Sequence, residues 1–249
     1  KNKMINNFSI LNIHEKPNRK SNLSSQMIYG EKFKIIHKKN NWLKIKTNYD
    51  NYTGYIPNKK YSKKFEPSFK ISSLKSKIFT KKNNKFIMTD KYLYFGSGVE
   101  KKNENKKFLE FEKNKWIKKI DLKNINHYEK NYSKIFKLFL NSKYLWGGKT
   151  TKGIDCSSLV QIYFYYNRVF FPRDTKDQIT FCKKVKKKIL KGSIIFWKGH
   201  VGICLNRSKF IHAYGPRKKV LIMHTDHTIR LIKKTAKLIV KKISHIKNF

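Results

Sequence analysis

The segment that most constrains the fold is a glycine-containing loop that runs into an apolar stretch, with one cysteine at the junction. The loop holds Gly147 and Gly148, and the apolar run extends from Leu159 to Tyr166. Glycine lets a backbone bend tightly and come close to a bound group. Apolar residues at helical spacing on nearly every face are typical of a helix buried in a core. The sequence therefore predicts Cys156 in the first turn of a buried helix.

This predicted position of Cys156 suits a nucleophile. Unpaired N–H groups and the positive end of the helix dipole favour thiolate over thiol, so we expect the pKa of Cys156 to be depressed. The same N–H groups can stabilise the oxyanion of an acyl-transfer intermediate. The alternative is a structural cysteine, because unpaired cysteine is among the most buried residue types. A single cysteine becomes a candidate nucleophile only together with a histidine.

The sequence after the helix predicts a hairpin. Residues 192–197 have the pattern of a buried strand, and residues 200–205 and 209–213 have the pattern of two more strands. A polar turn at residues 206–208 separates the last two. Neighbouring strands joined by a short turn pair antiparallel, and we expect this hairpin to be symmetric about Asn206.

Two histidines of this hairpin are the candidate partners of the cysteine. In the symmetric register His200 faces His212 directly and position 203 faces position 209, which puts the two histidine Cβ atoms about 5 Å apart. Alternation places both imidazoles on one face of the sheet. One imidazole can then take the thiol proton while the other fixes its tautomer and orientation. A lone histidine is more often a packing or surface residue, whereas two that face each other favour a catalytic arrangement.

These residues lie within five strings that occur in a fixed order over residues 130–225: Trp-Gly-Gly, Asp-Cys-Ser, Gly-Ser-Ile-Ile-Phe-Trp, His-Val-Gly-Ile and Ile-His-Ala-Tyr-Gly. In this region the chain resembles the NlpC-type cell-wall peptidases, a papain-like group of bacterial cysteine peptidases. The resemblance implies Cys156 as nucleophile, His200 as general base and His212 as the residue that orients His200. It also implies hydrolysis of the amide between γ-D-glutamate and a diamino acid in peptidoglycan stem peptides, through a thioester.

The resemblance further implies which residues bind the free amino terminus of the peptide. Asp155 and Ser157 match the residues beside the nucleophile that bind the ammonium, and charge-assisted hydrogen bonds of this kind are the stronger ones. Asp174 and Thr175 match a segment that lines the same pocket. Their alternative is a structural role, because Asp or Thr would cap the helix that the sequence predicts up to Phe181.

One aromatic residue and two departures complete the comparison with that family. Tyr144 stands in the family's Tyr-x-x-Gly-Gly position near the site, and its alternative is ordinary packing before the loop. The family usually has Gly where Ser158 stands, and Asp where Ser193 stands. Neither departure affects the three catalytic residues that the resemblance implies.

The first half of the chain has the pattern of a β-rich region. Short strands and turns over residues 9–61 are typical of a small β-barrel. This segment resembles bacterial SH3-like domains through the strand at Trp42 and the Tyr-x-Gly-Tyr-Ile-Pro string that begins at Tyr52, and a weaker copy runs over residues 70–122. In family members with two such barrels the first lends a tyrosine to the ammonium pocket. The resemblance therefore implies Tyr52, with Glu31 as a further candidate, and the alternative for Tyr52 is an aromatic of the barrel itself.

The fold class that we predict is α+β, in three modules. An SH3-like domain covers residues 1–62, a second and weaker SH3-like domain covers residues 63–127, and a papain-like catalytic domain covers residues 128–249. In the last, the helix that bears Cys156 packs on an antiparallel sheet.

The charge balance raises a rival interpretation. The chain has 59 Lys and Arg against 15 Asp and Glu, a formal net charge of +44. Such a balance ordinarily predicts nucleic acid or another anionic surface as the partner. Here the lysines are spread along the whole chain, so we expect peptidoglycan stem peptides or muropeptides as the partner and only non-specific, salt-sensitive binding of nucleic acid. A polyanion-binding protein, an inactive wall-binding protein, and a related thiol amidase or acyltransferase are the alternatives.

Cysteine usage and hydropathy indicate in which cellular compartment the protein works. Cys156, Cys182 and Cys204 have no close pairing and no metal-ligand spacing, so we expect no disulfide framework, metal or cofactor. No run of about 18 apolar residues exists, and we expect no membrane span. The first residues lack the apolar core of a signal peptide. We expect a cytoplasmic recycling enzyme, with export as the alternative if a leader precedes Lys1.

Overall fold

The computed structural model describes residues 3–185 and 188–248 of the chain. The chain forms two compact units, Lys1–Tyr128 and Glu129–Phe249. The division into modules 1–62, 63–127 and 128–249 stays a prediction.

The N-terminal unit is built from short antiparallel strands. They are β1 (Lys3–Ile5), β2 (Ile10–His14), β3 (Leu23–Ile28), β4 (Lys32–Lys39), β5 (Trp42–Thr47), β6 (Thr53–Pro57), β7 (Phe69–Ile71), β8 (Lys75–Lys82), β9 (Lys85–Tyr94), β10 (Gly98–Val99), β11 (Asn103–Glu104), β12 (Phe108–Glu112), β13 (Lys115–Lys118) and β14 (Leu122–Asn124). The first six form one sheet in the order β1-β4-β5-β6-β2-β3. Its core contains Ile13, Phe33, Leu43, Ile45 and Ile56. Alternate residues of β5 are buried, as expected for a strand with one face on a core.

The turn between β3 and β4 is fixed by two residues. Gly30 has φ of +85°, a left-handed conformation that glycine adopts without a Cβ clash. A Cβ at this position would also lie 2.5 Å from the Gly98 carbonyl oxygen. The carboxylate of Glu31 is buried and accepts a hydrogen bond from the Ile28 amide at 2.9 Å, which closes the turn.

The remaining strands of this unit form two further sheets, in the orders β10-β7-β14 and β11-β12-β13-β8-β9. Their core contains Leu93, Leu109 and Phe111 and also takes Tyr29 from the turn after β3. The Tyr29 hydroxyl donates to the Glu112 carboxylate at 2.7 Å. These strands occupy the segment for which the sequence predicts a second barrel, and its SH3-like character stays a prediction.

In its described residues the C-terminal unit combines four α-helices with a sheet. The elements are α1 (Tyr132–Leu138), β15 (Lys149–Thr150), β16 (Gly153–Ile154), α2 (Cys156–Tyr166), α3 (Thr175–Phe181), β17 (Ser193–Trp197), β18 (His200–Cys204), β19 (Lys209–Tyr214), β20 (Lys219–His224), α4 (Thr225–Ala236) and β21 (Lys242–His245). The five-stranded sheet is antiparallel in the order β20-β19-β18-β17-β21, and β15 pairs with β16. The predicted α+β class is confirmed.

The apolar run after Cys156 forms α2, which is buried on nearly all sides. Leu159, Val160 and Ile162 have no exposed surface. The helix packs against β18 and β19 of the sheet and against α1 and α3. This packing holds α2 against the two strands that carry the histidines. No helix within residues 3–185 or 188–248 is both long and apolar enough to cross a membrane.

The start of β17 uses a hydroxyl where the resembled family usually has a carboxylate. The Ser193 Oγ accepts a hydrogen bond from the Leu190 amide at 2.9 Å. This hydrogen bond organises the start of the strand, so the Ser193 hydroxyl takes a role that a carboxylate would otherwise have at this position.

Candidate active site

Cys156 is the first residue of α2, as the sequence predicts. Asp155 is the N-cap, and its Oδ1 accepts a hydrogen bond from the Ser158 amide at 2.8 Å. Its Oδ2 accepts from the Gly147 amide at 2.9 Å, so the same carboxylate ties the glycine loop to the helix start. An aspartate that satisfies an otherwise unpaired helix amide is a strong N-cap. The helix therefore begins at the cysteine for a local reason that the sequence contains.

The sulfur of Cys156 lies against the backbone on both sides of His200. The distance from Sγ to the Gly199 carbonyl oxygen is 4.0 Å, and the Val201 amide donates a hydrogen bond to the sulfur. The Thr175 hydroxyl lies 3.9 Å from Sγ. The thiol, predicted from the loop-helix junction, and the first histidine, predicted from the hairpin, are thus brought to one place.

The prediction of a depressed pKa for Cys156 is wrong in this structure. The pKa of Cys156 is raised to about 11, mainly by burial and also by the negative charge of Asp155. The hydrogen bonds from Val201 and Thr175 and the charge of Arg173 act in the opposite direction, with smaller effect. A helix N-terminus stabilises a charge by about 1 kcal/mol, and the loss of water around a 4% exposed thiol outweighs that. The resting nucleophile is therefore a neutral thiol.

The two predicted histidines interact directly, although the predicted register is wrong. His200 Nε2 lies 2.9 Å from His212 Nδ1. In the β18–β19 pair Ile203 faces Ile211, whereas the symmetric hairpin would put position 203 opposite position 209. The Leu205 amide bonds to the carbonyl of residue 209 at 2.7 Å, so the turn holds three residues and the register moves by two. A shift of two residues keeps every side chain on its face, and for this reason the imidazoles still meet.

Both imidazoles are neutral at physiological pH. Burial lowers the pKa of His200 to about 4. Burial also lowers the pKa of His212, and the neighbouring His200 lowers it further because two adjacent imidazolium ions repel each other. The Tyr214 ring stacks on His212 with centroids 4.7 Å apart. Thiol and imidazoles therefore carry no charge before a substrate arrives.

Met223 on β20 favours one assignment of protons to the nitrogens of the pair. Its thioether sulfur lies 3.4 Å from His212 Nε2 and can only accept a hydrogen bond. His212 Nε2 is then the protonated nitrogen, and Nδ1 of this neutral ring is an acceptor. His200 Nε2 must donate to it, which leaves the lone pair of His200 on Nδ1. That nitrogen is the one nearer the main chain of residue 200, where the sulfur lies.

Asp155 is engaged by a cation that sequence reasoning did not assign. Arg173 Nη1 and Nη2 donate to the two oxygens of the Asp155 carboxylate at 3.0 and 2.7 Å. Nη1 also donates to Ser157 Oγ at 2.9 Å, and that hydroxyl donates to Asp155 Oδ1 at 3.1 Å. The side chains of Arg173 and Asp155 are 2% and 8% exposed. A buried carboxylate requires a charged partner. This requirement is the signal in the sequence that would have indicated a cation near Asp155.

The other two residues of the predicted ammonium pocket lie at the start of α3. Asp174 is the N-cap residue of α3, but its side chain accepts no cap hydrogen bond. Asp174 is half-buried, and this burial raises the pKa of its carboxyl above the ordinary value. Thr175 is buried beside the nucleophile. The alternative, a capping role for the Asp174 side chain, is therefore wrong, and its carboxylate does not hold the helix start.

Tyr144 lies near Cys156, Asp155 and His200. Burial raises the pKa of Tyr144, and the neighbouring Cys156 and Asp155 raise it further. The Tyr144 ring lies beside Gly215. A Cβ atom added at Gly215 would be 3.6 Å from the nearest atoms of this ring. Tyr144 and His200 both line a cavity of 470 Å³ that extends towards α4.

The two residues predicted from the first barrel lie within the N-terminal unit. Tyr52 packs on the core of the first sheet, and its hydroxyl donates to the Ser24 carbonyl at 3.3 Å. Glu31 accepts the Ile28 amide in the turn after β3. Both residues therefore have structural contacts, and their predicted part in the ammonium pocket stays a prediction.

Comparison with known families agrees with this geometry. Residues 141–236 match the NlpC/P60 family, and residues 13–60 match the family described as the bacterial dipeptidyl-peptidase Sh3 domain. The first match contains the thiol, the two histidines and the arginine–aspartate pair described above.

Individual relatives match about a third of the chain. A probable endopeptidase NlpC homolog of Haemophilus influenzae is 33% identical over 91 residues, which cover 34% of this chain and 49% of the relative. The gamma-D-glutamyl-L-lysine dipeptidyl-peptidase of Bacillus subtilis is 34% identical over 100 residues, which cover 36% of this chain and 34% of the relative. The matched region thus spans half or less of these relatives.

Solved structures share the fold over most of the chain. An NlpC/P60 family protein from Bacillus cereus has a TM-score of 0.77 at 17% identity and covers 89% of this chain and 94% of its own. An NlpC/P60 endopeptidase from Photobacterium damselae has a TM-score of 0.63 at 14% identity and covers 96% of this chain and 70% of its own. By the family matches, the chain carries an NlpC/P60 domain over residues 141–236 and a bacterial SH3 domain over residues 13–60, and the solved structures share this fold.

Proposed function

We propose that the protein is a cysteine peptidase that hydrolyses the amide between γ-D-glutamate and a diamino acid in peptidoglycan stem peptides. The observation that carries the proposal is the buried thiol at the start of α2, which lies against the backbone around His200 while His200 is held by His212. The names of the relatives support the substrate class, since one is a gamma-D-glutamyl-L-lysine dipeptidyl-peptidase. We place the activity in the recycling of free stem peptides in the cytoplasm.

The reaction proceeds in two acyl-transfer steps. His200 Nδ1 takes the proton of the Cys156 thiol as the sulfur attacks the γ-carbonyl carbon of D-glutamate. Backbone amides of the first turn of α2 stabilise the oxyanion that forms. When the C–N bond breaks, His200 returns the proton to the leaving amine, and a thioester remains. A water molecule, deprotonated by His200, then hydrolyses the thioester and restores the thiol.

The neutral resting state has a consequence for the first step. With the pKa of Cys156 near 11 and that of His200 near 4, a thiolate–imidazolium pair does not form before the substrate binds. Proton transfer must therefore accompany attack on the carbonyl carbon. His212 supports this step because its Nδ1 accepts a hydrogen bond from His200 Nε2, which orients the His200 ring and stabilises the imidazolium that develops.

The amino terminus of the peptide is bound on the α3 side of the thiol. Asp174 offers a half-buried carboxylate that makes no cap hydrogen bond, and Thr175 offers a hydroxyl beside the sulfur. Asp155 and Ser157 belong to the same pocket in this proposal. Because Arg173 already neutralises Asp155, Asp174 supplies most of the attraction for the ammonium.

The N-terminal unit contributes substrate recognition in this proposal. We assign an SH3-like fold to the second set of strands as well as to the first. Tyr52 and Glu31 remain the candidates for contact with the amino-terminal end of the peptide.

The proposal is tested with L-Ala-γ-D-Glu-meso-diaminopimelate and product masses. The wild-type protein should release L-Ala-γ-D-Glu, and Cys156→Ala should release none because the nucleophile is gone. Cys182→Ala is the matched control, since Cys182 is a buried thiol in the same unit that the mechanism does not use. Cleavage by Cys156→Ala at the wild-type rate would exclude the proposed mechanism.

A further inference from the structure

The cavity beside Tyr144 and His200 is distinct from the pocket assigned to the amino terminus of the peptide. It has a volume of 470 Å³ and is walled by the turn after β19 and by apolar residues of and after α4, among them Leu231 and Leu238. None of the residues proposed for ammonium binding lines it. The cavity reaches the catalytic centre at His200, and the ammonium pocket reaches it at Thr175 beside the sulfur.

The position of His200 relates this cavity to the leaving group. In the proposed reaction His200 returns a proton to the amine of the diamino acid when the amide breaks, so this amine must lie next to the His200 ring. The L-Ala-γ-D-Glu portion occupies the side of Asp174 and Thr175. The cavity that begins at His200 is therefore available to the diamino acid.

The chemistry of the cavity wall is selective. Of the described residues that line the cavity, Arg217 alone carries a formal charge, and none is acidic. Arg217 ends the short turn Gly215–Arg217, is exposed, and has no ion-pair partner within residues 3–185 and 188–248. A guanidinium binds a carboxylate through two parallel hydrogen bonds, whereas it repels an ammonium.

We propose that this cavity binds the leaving diamino acid and that Arg217 favours one whose side chain ends in a carboxylate. The inference rests on the proposed function. The aliphatic part of such a side chain would pack on Leu231 and Leu238, and its carboxylate would pair with Arg217. Meso-diaminopimelate has this carboxylate beside its ammonium, so the side-chain end is neutral overall. Lysine presents only an ammonium, for which the cavity wall offers no acidic partner.

The test compares three tripeptides of the form L-Ala-γ-D-Glu-X. X is meso-diaminopimelate, the same residue with its side-chain carboxylate converted to a carboxamide, or L-lysine. Affinities are measured by calorimetry on the full chain with Cys156→Ala, which prevents turnover. Meso-diaminopimelate should bind about two- to fivefold more tightly than the carboxamide, the range expected for an exposed ion pair. Lysine should bind no better than the carboxamide.

Arg217→Gln in the same background should reduce this ratio to about one, because the guanidinium is lost while a polar side chain remains. Arg207→Gln is the matched control. It removes the same charge from an exposed turn outside the cavity and so changes long-range attraction equally. The ratio should persist in Arg207→Gln.

Equal affinity for meso-diaminopimelate and its carboxamide would overturn the inference, and so would a ratio that survives in Arg217→Gln. These outcomes differ from failure of the proposed function. If the wild-type protein cleaves all three peptides at the same rate, only the assignment of Arg217 fails. If the wild-type protein cleaves none of them and Cys156→Ala binds none, both the inference and the proposed function fail.

Discussion

The buried pair of Arg173 and Asp155 gives the sharpest stability prediction. Arg173→Met keeps most of the side-chain volume but removes the two hydrogen bonds to the Asp155 carboxylate and the one to Ser157. The carboxylate then remains buried at 8% exposure without a cation. Breaking a buried ion pair from one side costs about 3 to 5 kcal/mol. We expect Arg173→Met to lower the free energy of unfolding of the C-terminal unit by that amount.

Hydrogen exchange of peptides from α2, measured by mass spectrometry on the full chain, reports this free energy for the correct unit. A loss of 3 to 5 kcal/mol corresponds to exchange that is faster by roughly two to three and a half orders of magnitude. Arg230→Met is the control. Arg230 is exposed on α4, and a surface change of this kind stays within about 0.5 kcal/mol.

A second substitution separates the charge effect from lost packing. Asp155→Asn removes the negative charge and keeps an oxygen that can accept the Ser158 amide at the start of α2. The double variant Arg173→Met with Asp155→Asn should therefore regain at least about 1 kcal/mol relative to Arg173→Met. If the double variant exchanges as fast as Arg173→Met, the uncompensated carboxylate is not the cause, and the reasoning is refuted.

Three further predictions concern the catalytic pair and the ammonium pocket. The pKa of His200 is about 4 in the folded chain and 6.5 ordinarily. Between these pH values the unfolded chain therefore binds more protons than the folded chain. The contribution of His200 to the free energy of unfolding should fall by about 2 to 3 kcal/mol as the pH drops from 6.5 to 4. Urea unfolding across this range checks it, and an equal slope in His200→Gln would contradict the assignment. Met223→Leu should lower kcat about fivefold at unchanged KM, because the substitution removes the hydrogen bond that selects the His212 tautomer. Fivefold corresponds to the loss of a hydrogen bond that contributes about 1 kcal/mol. Unchanged kcat, or the loss of kcat also in the control Met88→Leu, would argue against this role. Acetylation of the substrate amino terminus should reduce kcat/KM about 10- to 100-fold, and Asp174→Asn should make that reduction smaller. Equal rates on free and acetylated peptides would contradict the proposed ammonium pocket.

Local patterns in the sequence were sufficient to predict the nucleophile helix and the histidine pair. The glycine loop and the apolar run determine where α2 begins, and Asp155 caps that start. The faces of His200 and His212 were predicted correctly despite a wrong register, because strand parity is unaffected by a shift of two residues. The register itself depended on the conformation of the turn at residues 206–208, which residue types alone did not fix.

The missed features depend on contacts between distant segments. Arg173 and Asp155 are 18 residues apart, and only the packing of α3 on α2 brings the guanidinium to the carboxylate. Met223 reaches His212 from β20, which the sequence interpretation did not assign as a strand. The helix terminus alone predicts a lowered pKa for Cys156, whereas burial of the thiol raises it, and this burial depends on the packing of α2 against the sheet.

The most direct test of the mechanism is the partition of the proposed thioester between water and hydroxylamine. Peptides L-Ala-γ-D-Glu-X with meso-diaminopimelate or lysine as X are cleaved in the presence of hydroxylamine, and the acid and hydroxamate forms of L-Ala-γ-D-Glu are measured by mass. A common Cys156 thioester predicts that hydroxamate forms and that its ratio to the acid is the same for both leaving groups. Cleavage without hydroxamate, or a ratio that changes with the leaving group, would contradict the thioester mechanism.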